Sequence, residues 1–375
     1  MDRGEVTGVL FLDLKKAFDT VNHDLLLQKL FTFGVEGPYL QWFRDYLSGR
    51  KQATCVNGVL SQSLPISFGV PQGSILGPLL FIMYINDLPQ CVTNGKVALY
   101  ADDTAVFYSA KNIHEVQRIL EGQLSNVSQW LSENQLTLNL GKTKSMTIGS
   151  RQILAKGKLN LNLRGSSIEN VESFKYLGVL LDERLTWDQH VDFLCKKVSK
   201  RLGVLRRASE FLDIPSRKLL YYALILPIFD YCDVVWGNCS ITLSNRTQVL
   251  QNRAGRLILG IRGLYRDTPV EHILDSLGWV KLDARRKFHL DFITFKILQC
   301  GPTYLADKFT RVSHIHSHRT RATANSMFYI PRFKSSTGQR SFIFRATMSF
   351  NQLPQSVRQA PSKQTFRSLY HSWSP

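Results

Sequence analysis

The 375-residue sequence contains no clean apolar run of the roughly 20 residues a membrane-spanning helix needs, no CxxC pair, no internal repeat and no long low-complexity segment. Its six cysteines (Cys55, Cys91, Cys195, Cys232, Cys239, Cys300) are scattered, which excludes a disulfide framework or zinc module and fits a reducing compartment. The two most apolar stretches, 75–85 and 219–236, are too short to span a membrane. The second is also interrupted by Pro227, Asp230 and Asp233, and both read as buried helices. No signal peptide opens the chain. Charged residues make up only 20% against 44% apolar, which excludes a disordered polyelectrolyte and leaves about two or three folded domains.

What charge there is lies unevenly. Residues 1–150 carry 12 Lys+Arg and 13 Asp+Glu, a balance of −1, so the remaining 35 and 16 leave +19 for residues 151–375. A folded polycation meets a phosphate backbone or an anionic membrane surface, and without a spanning segment nucleic acid is the better partner.

Residues 9–12 form an apolar run that stops at Asp13 and predict a buried strand. Helices are expected after Phe18, ending at Gly34, and from Pro38 to Gly49; a hairpin is expected over 52–67 with Asn57-Gly58 as its turn. Ser74 should cap a helix reaching Leu88. Residues 97–108 read as a hairpin with Asp102-Asp103 at its tip, and 113–131 as an amphipathic helix behind Asn112. Strands return at 145–148 and 174–181, and from Thr186 onward helices with basic faces take over. The order is α+β, not doubly wound.

Asp13, Asp102 and Asp103 each interrupt an apolar strand, where a carboxylate is costly unless water or a cation compensates it. Should the strand ending at Asp13 lie beside the 97–108 hairpin, the three converge as oxygen-only ligands of the kind Mg²⁺ or Mn²⁺ prefers. Two such ions roughly 3.5–4 Å apart serve phosphoryl transfer.

The surrounding segments resemble those of reverse transcriptases, specifically non-LTR (LINE-type, jockey-like) retrotransposons. Phe11-Leu12-Asp13-Leu14-Lys15-Lys16-Ala17-Phe18-Asp19 resembles the first catalytic motif. Gly69-Val70-Pro71-Gln72-Gly73 resembles the Pro-Gln-Gly box, and Tyr100-Ala101-Asp102-Asp103 the Tyr-x-Asp-Asp box. Asn139-Leu140-Gly141-Lys142-Thr143-Lys144 resembles the lysine motif and Tyr176-Leu177-Gly178 the primer grip, all in the family's order.

The resemblance implies a ferredoxin-like palm, an antiparallel sheet with helices on one face, over 1–185. It further implies an α-helical thumb over 186–262 and a basic C-terminal region over 263–375. It implies RNA-directed DNA polymerase activity on an RNA template and DNA primer, with dNTPs and two Mg²⁺ (Mn²⁺ possible). Asp13 and Asp102 would ligate both ions with Asp103 auxiliary, Phe18 would be the steric gate against a ribose 2′-OH, and Gln72 and Gly73 would approach nucleotide or template. Lys142 or Lys144 would meet the departing pyrophosphate, the sequence not choosing between them. Asp19 reads as a local cap or salt-bridge partner. Lys196, Lys197, Lys200, Arg201, Arg206 and Arg207 would track the primer–template backbone. His314, His316, His318, Arg319 and Arg321 read as a basic RNA-binding surface rather than a zinc site.

Only twelve residues precede Asp13, so the upstream fingers and endonuclease of such proteins are expected to be absent. The alternatives are a catalytically inactive truncated remnant that only binds RNA, and an RNA-templated RNA polymerase, which Phe18 argues against. An intracellular ribonucleoprotein, nuclear or cytoplasmic, is the expected setting.

Overall fold

A computed structural model describes residues 1–261, 268–315, 318, 320, 322 and 325–373. The chain parts into two compact units. One comprises Arg3–Gly178 with Asp182–Leu185; the other comprises Met1–Asp2, Val179–Leu181 and Thr186–Pro375.

The first unit is built on β1 (Val6–Leu12), followed by α1 (His23–Thr32) and α2 (Gly37–Leu47). Next comes a nested hairpin in which β2 (Lys51–Gln52) pairs with β5 (Leu64–Pro65), and β3 (Cys55–Val56) with β4 (Val59–Leu60). Asn57 and Gly58 both take positive φ, as a two-residue hairpin turn requires. Then follow α3 (Leu76–Ile85), β6 (Lys96–Tyr100), β7 (Asp103–Ala110), α4 (Ile113–Glu133) and β8 (Lys144–Ile148). Four of the strands form one antiparallel sheet in the order β6-β7-β1-β8.

Strand alternation sorts this sheet into two faces. Val6, Leu10 and Leu12 join Val106 and the helices in one core, with Leu26, Leu30, Phe81, Tyr84, Leu120 and Leu124. The α4 stripe Val116, Leu120, Leu124, Val127, Leu131 is buried at helical spacing, and the Asn112 side chain accepts the His114 N–H at the helix start. Gly8 lets α4 close on β1: a Cβ there would stand 2.5–2.7 Å from side-chain atoms of Leu120, Val116 and Leu159.

Four sequence expectations need correction. The hairpin tip is Ala101-Asp102, because Tyr100 pairs with Asp103 and Asp103 begins β7; Ala101 turns the corner in a left-handed conformation (φ 51°). The helix after Ser74 stops at Ile85, and Pro89 sits in a short 3-10 turn over Leu88–Cys91. Residues 174–181 are two strands, β11 (Ser173–Tyr176) and β12 (Val179–Asp182), broken by positive φ at Leu177 and Gly178. Between β8 and β11 lie α5 (Arg151–Leu154) and a small pair, β9 (Leu161–Leu163) and β10 (Ser166–Ile168). The fourth correction is the 219–236 stretch of the second unit. Instead of one buried helix it holds the end of α7 (Ile214–Leu224), then α8 (Leu226–Asp230) and α9 (Asp233–Trp236). Cys232 has φ 52°, and Leu219 is 68% exposed.

Beyond β12, the described part of the second unit is mainly helical. Its helices include α6 (Asp188–Ala208), α10 (Ile241–Leu259), α11 (Val270–Leu277) and α12 (Leu282–Cys300), then Phe342–Gln352 and Lys363–Trp373. No helix among the described residues is long and apolar enough to cross a membrane. Phe295, Phe350, Phe366 and Tyr370 fill a core around α12.

Asp291 on α12 is fully buried; the Tyr370 hydroxyl donates to its Oδ2 (3.1 Å), while Oδ1 has no hydrogen-bond partner among the described residues. Burial lifts its carboxyl to about 6. A folded-state pKa raised above the unfolded value adds stability that is complete below about 4 and is lost as pH rises through about 6. Asp291→Asn is therefore expected to be more stable than the parent at pH 8, by on the order of 2–3 kcal/mol, and nearly equal to it at pH 4. Thermal melts at both pH values check this; an identical difference at each would refute it.

Candidate active site

The three carboxylates gather at one end of the β1–β7 pair. Leu12 pairs with Thr104, so the next residue, Asp13, falls at the register position facing Asp103, while Asp102 occupies the adjoining turn. Asp13 is held from behind: its N–H donates to Thr143 Oγ1 (3.3 Å) and its carbonyl accepts the Asn139 N–H (2.8 Å). Thr143 is fully buried, and nothing in the sequence distinguished it from its two lysine neighbours.

Burial first, and then the charges of Asp102 and Asp13, push the Asp103 carboxyl above its usual range. Among the described residues none of the three is ion-paired with a lysine or arginine. Uncompensated, oxygen-only and clustered, they fit a hard divalent cation such as Mg²⁺. They do not close to within 4.8 Å of one another, so they form an open acidic mouth and not a cage. Mg²⁺ tolerates this, because it characteristically takes one or two carboxylates and completes its shell with water and substrate phosphates.

The same face of β1 carries Phe11, whose ring stacks on Phe174 (4.0 Å, 12°) and lies 5.5 Å from Tyr176. Burial, followed by the Asp103 charge, raises the Tyr176 hydroxyl, which places the quoted Tyr176-Leu177-Gly178 segment beside the acidic group.

Two loops meet, the first of them shortly after Asp13 along the chain. The Ala17–Asp19 turn and the Gly69–Gln72 segment are joined by the Val70 N–H on the Phe18 carbonyl (2.8 Å) and by Gln72 Nε2 on Asp19 Oδ1 (2.8 Å). Asp19 is thus the orienting partner of Gln72. Gly69 (φ +87°) is required there, since a Cβ would stand 2.9 Å from the Asp19 backbone. Gly73 also takes positive φ, and the Ser74 hydroxyl accepts the Gly77 N–H as α3 begins. Phe18 is half-buried, its ring stacked on the fully buried Phe81 (4.4 Å, 28°).

Between these loops and the base of the hairpin opens a cleft of about 770 Å³, with Lys16, Arg50, Lys51, Asp19 and Gln72 in its lining. Sequence reasoning missed its three cations.

The lysine pair separates by partner. Lys144 Nζ is bound to Glu169 (2.7 Å) and the Gly141 carbonyl, whereas Lys142 is exposed with no ion pair among the described residues. Lys196, Lys197, Lys200, Arg201, Arg206 and Arg207 are all exposed on α6, opposite its buried Val191, Leu194, Val198, Leu202 and Leu205. They belong to the second unit and the carboxylates to the first. His314 ends a 3-10 turn and His318 is exposed, while His316, Arg319 and Arg321 lie outside the described residues.

Among the described residues, ligand atoms of Asp230, Asp233 and His289 all lie within 4.8 Å of one another, close enough to hold a metal by distance alone. Charge argues otherwise. Arg285 takes both oxygens of Asp230 (2.6 and 2.7 Å), and His289 Nδ1 sits 2.6 Å from Asp233, so the acids already have partners.

A family model described as reverse transcriptase (RNA-dependent DNA polymerase) matches residues 1–181. The probable RNA-directed DNA polymerase from transposon BS of Drosophila melanogaster is 31% identical over 320 residues, covering 80% of this chain and 35% of that protein. The RNA-directed DNA polymerase from mobile element jockey of the same species is 30% identical over 331 residues, covering 83% and 36%. The chain thus spans about a third of the length of these relatives. Among solved structures, apo telomerase from Candida tropicalis aligns with a TM-score of 0.38 at 12% identity, over 80% of this chain and 52% of that one.

Proposed function

This chain belongs to the reverse transcriptase (RNA-dependent DNA polymerase) family through residues 1–181, and from that premise we propose that it extends a DNA primer on an RNA template. The first unit serves as the polymerase palm, its β6-β7-β1-β8 order being that of a ferredoxin-like sheet. The observation that carries the reading is the meeting of Asp13, Asp102 and Asp103 at one strand end with no Lys or Arg ion pair among the described residues.

Asp13 and Asp102 hold the divalent ions, with Asp103 auxiliary. When bound, Mg²⁺ supplies activation of the attacking hydroxyl and charge stabilisation of the leaving oxygen. The chain's own residues position the substrate. Phe18, its ring stacked on Phe81, is the bulky side chain that would exclude a ribose 2′-OH. Gln72, oriented by Asp19, faces the nucleotide, and the exposed Lys142 is the lysine free to meet the pyrophosphate, since Lys144 is engaged by Glu169. The exposed cations of α6 follow the nucleic-acid backbone.

The test is dTMP incorporation on poly(rA)/oligo(dT). Incorporation that requires Mg²⁺ or Mn²⁺ and stops with a chelator is expected; folded protein inactive with both metals would sink the proposal. Phe18→Val should raise the ratio of rNTP to dNTP use by about tenfold to 200-fold, the range one lost shape contact commands. Competing rUTP against dTTP in single-nucleotide extension measures it.

A further inference from the structure

Residues 301–375 contain eleven lysines and arginines against one acidic residue, Asp307. Beside this stretch lies a cavity of about 200 Å³, with Arg311, Arg358, Gln299, Gln359, Phe328 and Phe350 in its lining. That volume is below the roughly 300–1,000 Å³ of drug-sized ligand sites and accommodates a single small group.

The two arginines are held in different ways. Arg358 is pinned by its Nε on the Leu353 carbonyl (3.1 Å) and its Nη1 on the Asn325 carbonyl (2.9 Å). Arg311 lies over the Phe328 ring, its Cζ 5.2 Å from the centroid, with one long contact from Nη1 to the Ser326 carbonyl (3.5 Å). Nη2 of Arg358, and Nε and Nη2 of Arg311, find no acceptor among the described residues, and neither side chain is ion-paired there. Burial and then the charge of Arg311 lower the Arg358 pKa, so the two guanidinium groups repel across the cavity. Folding has set two cations side by side with donors to spare, an arrangement that a tetrahedral oxyanion offsets with paired, charge-assisted hydrogen bonds.

We propose that this cavity binds one backbone phosphate of a single-stranded nucleic acid between Arg311 and Arg358. A polynucleotide is favoured over a lone anion because the surrounding segment is almost free of acids, so neighbouring phosphates of a chain meet little repulsion beside the cavity. The site lies in the second unit and needs neither metal nor nucleotide.

Binding of the full chain to a labelled 20-nucleotide RNA, followed by fluorescence anisotropy in EDTA without dNTPs, tests the site apart from polymerisation. Arg311→Gln is expected to weaken binding at least fivefold and to reduce the salt slope by about 0.7, the value of one single-strand phosphate contact. Lys363→Gln, an exposed lysine outside the cavity, should change affinity less than twofold. Arg358→Lys keeps the charge but removes the unpaired Nη2, and it should also weaken binding if Arg311→Gln fails to fold. Equal losses in Arg311→Gln and Lys363→Gln would overturn the proposal. So would inorganic phosphate raising the melting temperature of the parent but not of Arg311→Gln while RNA affinity stays equal, which marks a free-phosphate site.

Discussion

Asp102→Asn is expected to lower nucleotide incorporation about 10³-fold or more, because on the proposed function it removes a carboxylate that would hold the metal and forfeits several kcal/mol of charge stabilisation. The substitution keeps the volume and removes only the charge. Asp102 sits in the two-residue turn between β6 and β7 and supports no packing, so the variant should fold. It should also melt slightly higher than the parent. The Asp103 carboxyl is raised in the folded state by burial and then by Asp102 and Asp13, so removing one neighbour relieves repulsion that opposes folding at neutral pH. Inactivity together with an unchanged or raised melting temperature identifies a chemical role. Inactivity with a lowered one would mean that the turn is structural, and the catalytic assignment would fail.

Phe81→Ala should cost about 3–5 kcal/mol of stability in the first unit, as expected for deleting a fully buried aromatic ring. Its effect should reach the active site through the ring it supports. Phe18 is half-exposed and takes its position from stacking on Phe81 at 4.4 Å. Phe81→Leu, which retains bulk, should lose less stability but still let the Phe18 ring swing. Denaturant melts and rNTP-versus-dNTP competition, run on both variants, separate these effects; unchanged sugar selectivity in both would disconnect Phe18 from its backing.

The elements that were legible are those whose pattern is local. Strand β1 announces itself by an apolar run cut off at Asp13, and α4 by five apolar residues at steps of three and four behind Asn112. The ordered motifs also located the acidic residues. Sequence could not say which residue turns the corner between β6 and β7, because that depends on cross-strand register, which puts Ala101 in a left-handed conformation and Asp103 in the strand. Nor could it reveal the cleft cations. Lys16 and Arg50 meet only because the hairpin base returns to the Ala17–Asp19 turn. Composition alone also overstates burial: the 75–85 stretch is apolar throughout, yet Ile75 is 95% exposed and Leu79 and Ile82 about half. Without periodicity, nothing indicates how many faces of such a helix are covered.

On the proposed assignment of Phe18 as the sugar gate, its stacking on Phe81 ties a chemical choice to a physical state. A gate mounted on the hydrophobic interior shares that interior's tolerance of heat. As temperature nears the melting point of the first unit, the selecting wall loosens with its support. Discrimination between sugars should therefore decay over the same interval as folding, and ribonucleotide misincorporation becomes a thermometer of the interior.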